Sequence, residues 1–199
     1  MKFCSECGSD KIEPLRLAEG TGSHFRCERC EHVHFVNPRL VACVLAEWQG
    51  QVLLTRRAIE PCHGLWALPG GYVEASEPVQ SAAEREVREE ALAIVDELAL
   101  FRLYNLPKFN EVIAVFRGSL REGRFGIGAE TSEARLFPKR DLPWDSLAFE
   151  STRAALHDYA TRRWQPTYAS PVEDLVWLQP PRAASRASSS TSVAGNVRA

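Results

Sequence analysis

The stretch GGYVEASEPVQSAAEREVREEALA, Gly70 to Ala93, sets like charges against one another where an ordinary solvated helix avoids it. Glu86 and Glu90 stand at the i,i+4 spacing, where two carboxylates on a helix repel by roughly 0.2–0.5 kcal/mol, and Glu89 lies between them. From Ser76 to Leu92 there is no glycine and no proline beyond Pro78. The segment therefore reads as one helix of about four turns, with Ser76 at its start and Pro78 just inside. At about 100° per residue, Val79, Ala82, Ala83, Val87 and Ala91 form a single apolar side of small residues. Glu86, Glu89 and Glu90 overlap the edge of that side, while Arg88 points well away. Carboxylates beside a buried stripe are costly unless paired or bound to metal. A hard divalent cation, Mg²⁺ or Mn²⁺, removes that cost because it prefers oxygen ligands and leaves positions for waters and substrate phosphates.

The segments before and after this helix read mainly as strands. Leu40–Trp48 and Gln51–Arg56 are joined by a turn at Gln49–Gly50 and read as a hairpin. LWALPGG offers a short strand stopped by Pro69 and two glycines. Strand patterns return at Leu98–Tyr104, Glu111–Leu120 and the ARLFP segment, and Leu147–Trp164 reads as a last amphipathic helix. From Pro180 the tail loses all large apolar residues but valine, and disorder is expected there.

Ahead of these elements the chain carries two CxxC pairs, Cys4 with Cys7 and Cys27 with Cys30, separated by polar, turn-forming sequence. Two thiolates from each of two tight turns complete a tetrahedral Zn²⁺ site, and the metal supplies folding energy that so small a piece cannot obtain from burial. Residues 1–37 are thus expected to form a zinc ribbon, 38–165 the main domain and 166–199 a C-terminal extension. His24, His32 and His34 could each replace a cysteine in principle, but with four thiolates available they are expected on the ribbon's surface or strands. Of the remaining cysteines, Cys43 reads as a small buried hydrophobe, and Cys62 sits in a loop.

An apolar fraction of 45% and a net charge of −2 give no global basic field that would draw the chain to nucleic acid or an acidic membrane. The longest apolar stretch, Leu40–Trp48, is too short to span a bilayer as a helix. With no leader pattern at the amino terminus, a cytoplasmic location is expected.

Gly71, Glu77, Arg85, Glu86, Val87, Glu89 and Glu90 fall in register on G-x5-E-x7-R-E-U-x-E-E-x-G-U, with U aliphatic, and in this the chain resembles the Nudix hydrolases. It departs from that signature at Leu92, where the pattern has glycine, and at Ala93. The order of ribbon, hairpin and box resembles the subgroup with an amino-terminal zinc ribbon that includes ADP-ribose and FAD pyrophosphatases. The resemblance implies an α/β fold, the Nudix α/β/α sandwich around a mixed sheet. It also implies Mg²⁺ or Mn²⁺ dependence and cleavage of the diphosphate in a nucleoside diphosphate linked to another group.

By the same resemblance, Glu86, Glu89 and Glu90 hold the metals with the carbonyl of Gly70, and Arg85 orients the helix glutamates together with Glu77. Glu130 and Glu133 are candidates for the general base, and Glu74 is not a signature position. Arg56, Arg57, Trp66, Tyr104, Asn105 and Phe109 are candidates for substrate contact, with solvated arginines and a core tryptophan as the plainer readings. The NADH pyrophosphatases carry SQPWPFPxS after the box where this chain has YNLPKFNEV, which favours ADP-ribose-like or flavin substrates over NADH or NAD-capped RNA. A homodimer is implied by resemblance alone. The competing class is a nucleotide-sensing regulator whose ribbon binds nucleic acid. Against it, Lys2, Lys11, Arg16, Arg26 and Arg29 of the ribbon and Arg39 just past it are matched by Glu6, Asp10, Glu13, Glu19, Glu28 and Glu31, so nucleic acid is not an expected partner.

Overall fold

The computed structural model describes residues 1–16 and 24–161, and the backbone of 172–174. Trp164 and the tail expected to be disordered from about residue 180 lie outside the described residues.

The first part of the chain forms a three-stranded antiparallel sheet, β1 (Ile12–Leu15), β2 (His24–Cys27) and β3 (Val33–His34), in sequence order. The rest is built on one mixed sheet. Its strands are β4 (Arg39–Trp48), β5 (Gln51–Arg57), β6 (Trp66–Ala67), β7 (Gly70–Tyr72), β8 (Val95–Leu106), β9 (Glu111–Leu120), β10 (Thr131–Pro138) and β11 (Val172–Asp174). The main path runs β10-β5-β4-β9-β8-β11, with β4 parallel to β9 and β8 antiparallel to it. Two helices, α1 (Val79–Ala91) and α2 (Glu150–Thr161), cover opposite faces.

The period of two along the strands decides which helix each residue meets. Ala42, Val44 and Ala46 of β4, with Leu53 of β5, join Ala82, Ala83, Val87 and Ala91 of α1. Leu45, Val52 and Leu54 turn to the other face and meet Ala155, Leu156 and Tyr159 of α2. Among these, the four α1 residues are fully buried; their small side chains let the helix axis approach the sheet. On the α2 side a buried ion pair crosses the layers, with Arg102 of β8 donating from Nε to Asp158 Oδ2 of α2 at 2.6 Å.

The sheet opens in its middle. β4 and β5 pair only beside their connecting turn, at Glu47 with Val52 and Trp48 with Gln51. Beyond that, β7 takes the edge of β4, with Cys43 opposite Gly70 and Ala42 opposite Gly71, and β6 takes the edge of β5, with Thr55 opposite Ala67. The segment from Trp66 to Tyr72 thus fills a split between two strands that start as neighbours.

Several boundaries differ from the sequence-based expectation, among them the start of β10 at Thr131, three residues before ARLFP. α1 starts at Val79, because Ser76 adopts a left-handed conformation (φ 66°) and belongs to the preceding turn; Pro78 flanks the helix with extended backbone. α2 starts at Glu150, and Leu147 is buried in the approach to it. β8 continues to Leu106, so Tyr104 and Asn105 lie in a strand, with Phe109 in the following 3₁₀ turn. At the other end of α1, Leu92 takes the left-handed conformation itself (φ 47°, ψ 34°), and the Leu92 N–H donates to the Arg88 carbonyl. The helix end is closed from outside by residues 124–128: the Gly126 N–H donates to the Ala91 carbonyl at 2.6 Å and the Gly128 N–H to the Glu90 carbonyl at 3.0 Å. A β-carbon on Gly128 would collide with the carbonyl oxygen of Glu89, so this approach requires glycine.

Candidate active site

The split in the sheet is where the acidic end of α1 arrives. Glu90 Oε2 accepts hydrogen bonds from the Gly70 N–H and from Thr55 Oγ1, each at 3.3 Å, so it is held by β7 on one side and β5 on the other. Glu86 lies against Gly71, where an added β-carbon would stand 2.5 Å from its carboxylate. Gly71 is therefore small because a carboxylate occupies the space.

Arg85 organises the neighbouring acids. Its Nε donates to Glu77 Oε1 at 2.9 Å and its Nη2 to Glu77 Oε2 at 3.0 Å, a two-point contact. Its Nη1 reaches Glu86 Oε1 at 2.7 Å and Glu89 Oε2 at 3.2 Å, and Nη2 also donates to the Tyr72 carbonyl at 3.1 Å. One guanidinium thus ties the turn before α1, the helix and β7 together. Glu77 Oε2 also accepts from the Glu74 N–H, which fixes that turn.

Electrostatics separates the three box glutamates. Burial pushes the Glu90 carboxyl up to about 7, with Glu86 adding to the rise and the Gly70 N–H, Thr55 and Arg57 opposing it. Burial also raises the Glu86 carboxyl above its ordinary value; Arg85 opposes this, and Glu89 and Glu130 add to it. Cys43 on β4 adjoins the same pair: its thiol is pushed up to about 12, first by burial and then by Glu90 and Glu86. Glu89 is the exposed member, with 59% of its side chain accessible, and is held by Arg85. A half-buried carboxylate pair with only neutral donors on Glu90 and one shared arginine on Glu86 fits a divalent cation with oxygen ligands. Glu86 and Glu90 would hold it, with Glu89 free to join on leaving Arg85.

The substrate candidates separate. Arg56 and Arg57 end β5; Arg56 Nε donates to the Gly64 carbonyl and Arg57 Nε to the Pro61 carbonyl, each at 2.7 Å, and Arg57 stacks over Phe149 at 5.1 Å. Trp66 is 7% exposed and packs edge-on against Phe137 at 4.9 Å, in the core rather than at a surface where a base could stack. Tyr104 is fully buried, whereas Phe109 is 38% exposed. Of the two candidate bases, Glu133 is engaged by Arg56 at 3.5 Å and Arg135 at 2.8 Å. Glu130 acts on Glu86 electrostatically and its carbonyl accepts the Ala58 N–H. Thr55 and Cys43 were not singled out as site residues by sequence; nothing in their hairpin pattern reports that the strands part beside them.

A second cluster lies beside the three-stranded sheet, at the end of β2. The sulfurs of Cys4, Cys7, Cys27 and Cys30 all lie within 4.8 Å of one another. Among the described residues this is the one group of three or more ligand-type side chains that converges so closely. The Cys30 N–H lowers the Cys27 thiol, while, against the His32 N–H, burial and the neighbouring thiols raise that of Cys30, so the four groups share their protons unevenly in one small space. Four converging thiols fit Zn²⁺.

The NUDIX domain family model matches residues 36–159. The chain is 30% identical to the ADP-ribose pyrophosphatase of Methanocaldococcus jannaschii over 66% of this chain and 77% of that protein. It is 28% identical to the NAD-capped RNA hydrolase NudC of Vibrio cholerae, over 72% of this chain and 51% of that protein, so it spans about half the length of that relative. The crystal structure of a NUDIX hydrolase from Nitrosomonas europaea is similar with a TM-score of 0.79 and 35% identity, over 88% of this chain and 99% of that one.

Proposed function

The chain belongs to the NUDIX family of hydrolases, and on that premise we propose that it is a Mg²⁺- or Mn²⁺-dependent pyrophosphatase. Its substrate is a nucleoside diphosphate linked to a second group, ADP-ribose first and FAD next, and it releases a nucleoside monophosphate. The observation that carries this reading is the pairing of Glu86 and Glu90 in the split of the sheet, with Glu86 lying in the space that a side chain at Gly71 would take. Similarity to an ADP-ribose pyrophosphatase supports the substrate class.

In this reading the cation supplies charge neutralisation at the diphosphate oxygens and acidifies the attacking water. The chain's own residues do the rest. Glu86 and Glu90 hold the cation from α1, and Gly70 and Thr55 keep Glu90 aimed into the split. Arg85 holds Glu86 against the helix and Glu77 against the turn, so the carboxylates need not reorganise during the reaction. Glu130, whose charge acts on Glu86, is the better placed of the two candidate bases, because Glu133 is engaged by two arginines. Arg56 and Arg57 are the cations nearest the end of β5 for phosphate or ribose. Zn²⁺ in the ribbon is structural, residues 38–165 carry the activity, and the protein acts as a homodimer in the cytoplasm.

The test is incubation of the protein with Mg²⁺ or Mn²⁺ and ADP-ribose, FAD, NADH, NAD or dinucleoside polyphosphates, with products resolved by chromatography. AMP from ADP-ribose or FAD is expected, and no turnover of any of them would overturn the reading. The similarity to NudC favours one second reading, a pyrophosphatase of NADH or NAD-capped RNA; faster AMP release from NADH than from ADP-ribose would select it.

A further inference from the structure

Within the four-cysteine cluster, one side chain is placed where no ligand is needed. His34 ends β3, is 7% exposed, and sets its Nε2 3.3 Å from the sulfur of Cys4, itself 3% exposed. The backbone holds it there: His34 pairs with Phe25 of β2, and the ring of His32 meets it edge-on at 4.6 Å. Besides the contacts of the sulfurs with one another, Cys27 is met by the N–H groups of Cys30 and Arg29, and Cys30 by that of His32. At Cys4 the partner from outside the four thiols is a side chain, that of His34.

We propose that His34 is a positioning residue for the zinc centre, its Nε2–H donating to the Cys4 thiolate and so fixing the direction of that ligand and offsetting part of its charge. The inference rests on the reading of the four cysteines as a Zn²⁺ site. A metal-bound thiolate has no proton to give and can only accept, so the ring nitrogen that faces it carries the hydrogen. Four thiolates on Zn²⁺ leave two net negative charges on the centre. A donor in a buried, low-dielectric place offsets part of that charge more effectively than water would. Partners of this kind orient ligands and tune the affinity of the metal, and their removal typically weakens binding by about 10–100-fold. Because Cys4 belongs to the first CxxC pair and His34 to a strand that follows the second, the contact also links the two halves of the ribbon through something other than the metal.

The experiment is competition for zinc between the full chain and a chromophoric chelator, with Co²⁺ substitution as a second readout. His34→Leu is expected to lose affinity by about 10–100-fold. His34→Gln, whose amide reaches the position of Nε2, is expected to recover most of it, and His34→Asn, which places its donor nearer Nδ1, is expected to resemble the leucine variant. The Co²⁺ spectra of all three should keep four-thiolate intensity, with the sulfur-to-metal charge-transfer band shifted in the leucine and asparagine variants. Equal affinity of all variants and wild type, or a loss of one ligand from the spectrum when His34 is replaced, would overturn the proposal. A wild-type chain that takes up no zinc would overturn the reading of the cysteines and the proposal with it.

Discussion

Thr55 Oγ1 and Glu90 Oε2 meet at 3.3 Å across the gap where β5 parts from β4. The contact joins a strand and a helix through a carboxylate whose charge burial opposes, so the carboxylate is held ready rather than relaxed into an ion pair. Glu90→Gln keeps the shape and removes the charge. It is expected to lower kcat by at least about a hundred-fold, as is Glu86→Gln, while circular dichroism stays unchanged. Full rates in both variants would remove these residues from the reaction.

Glu90 also gives the chain a pH dependence of known sign. Its folded pKa of about 7 lies above the ordinary 4.5. Between those values the folded chain keeps a proton that the unfolded chain has released, so stability without Mg²⁺ or Mn²⁺ falls as pH rises through this window. The expected loss is on the order of 2–3 kcal/mol. Thermal unfolding at pH 5 and pH 8, with the metal content of the four cysteines held constant, should show a decline that Glu90→Gln lacks and that Mg²⁺ reverses at pH 8. A wild type and Glu90→Gln that track each other across pH would rule this out.

Arg85 contacts Glu77, Glu86 and Glu89 together. Lysine keeps the charge but not the two-point grip on Glu77, so Arg85→Lys should retain the fold and lose roughly ten-fold or more in kcat. A variant with wild-type kcat at saturating metal would show that charge alone suffices.

On the far face, Asp158→Asn leaves Arg102 charged and buried against α2. Breaking such a pair costs about 3–5 kcal/mol, which denaturant unfolding would read directly. A loss below about 1 kcal/mol would mean that water reaches the pair.

Gly128→Ala places a methyl group on the Glu89 carbonyl. The loop or the end of α1 must move, so stability and activity should fall together, and Mg²⁺ affinity with them. Wild-type affinity in a destabilised variant would separate the clamp from the site.

The glutamate helix, the hairpin and the paired cysteines were legible because each depends on local spacing. Alanines at helical intervals find the sheet, and β-branched residues around Gln49–Gly50 find the turn. What the spacing did not carry is non-local. That β4 and β5 part after two residue pairs depends on the Trp66–Tyr72 segment inserting between them. Thr55 and Cys43 become site residues only through that insertion. Trp66 was a candidate for substrate contact, and it is the packing of Phe137 against it that places it in the core. Ser76 has the chemistry of a helix cap, but the Glu77–Arg85 contact and Pro78 set the start two residues beyond Glu77.

Leu92 stands where the box pattern has glycine, yet its backbone turns left-handed as a glycine would. Holding leucine there costs about 1–2 kcal/mol, and the neighbouring loop, whose Gly126 would meet the leucine side chain through any added β-carbon, packs over the result. A residue pattern is thus a record of the cheapest occupant of a backbone shape, and the shape outlives the occupant. A strict letter-by-letter match would reject this chain at Leu92, where its dihedral angles are those a glycine would take.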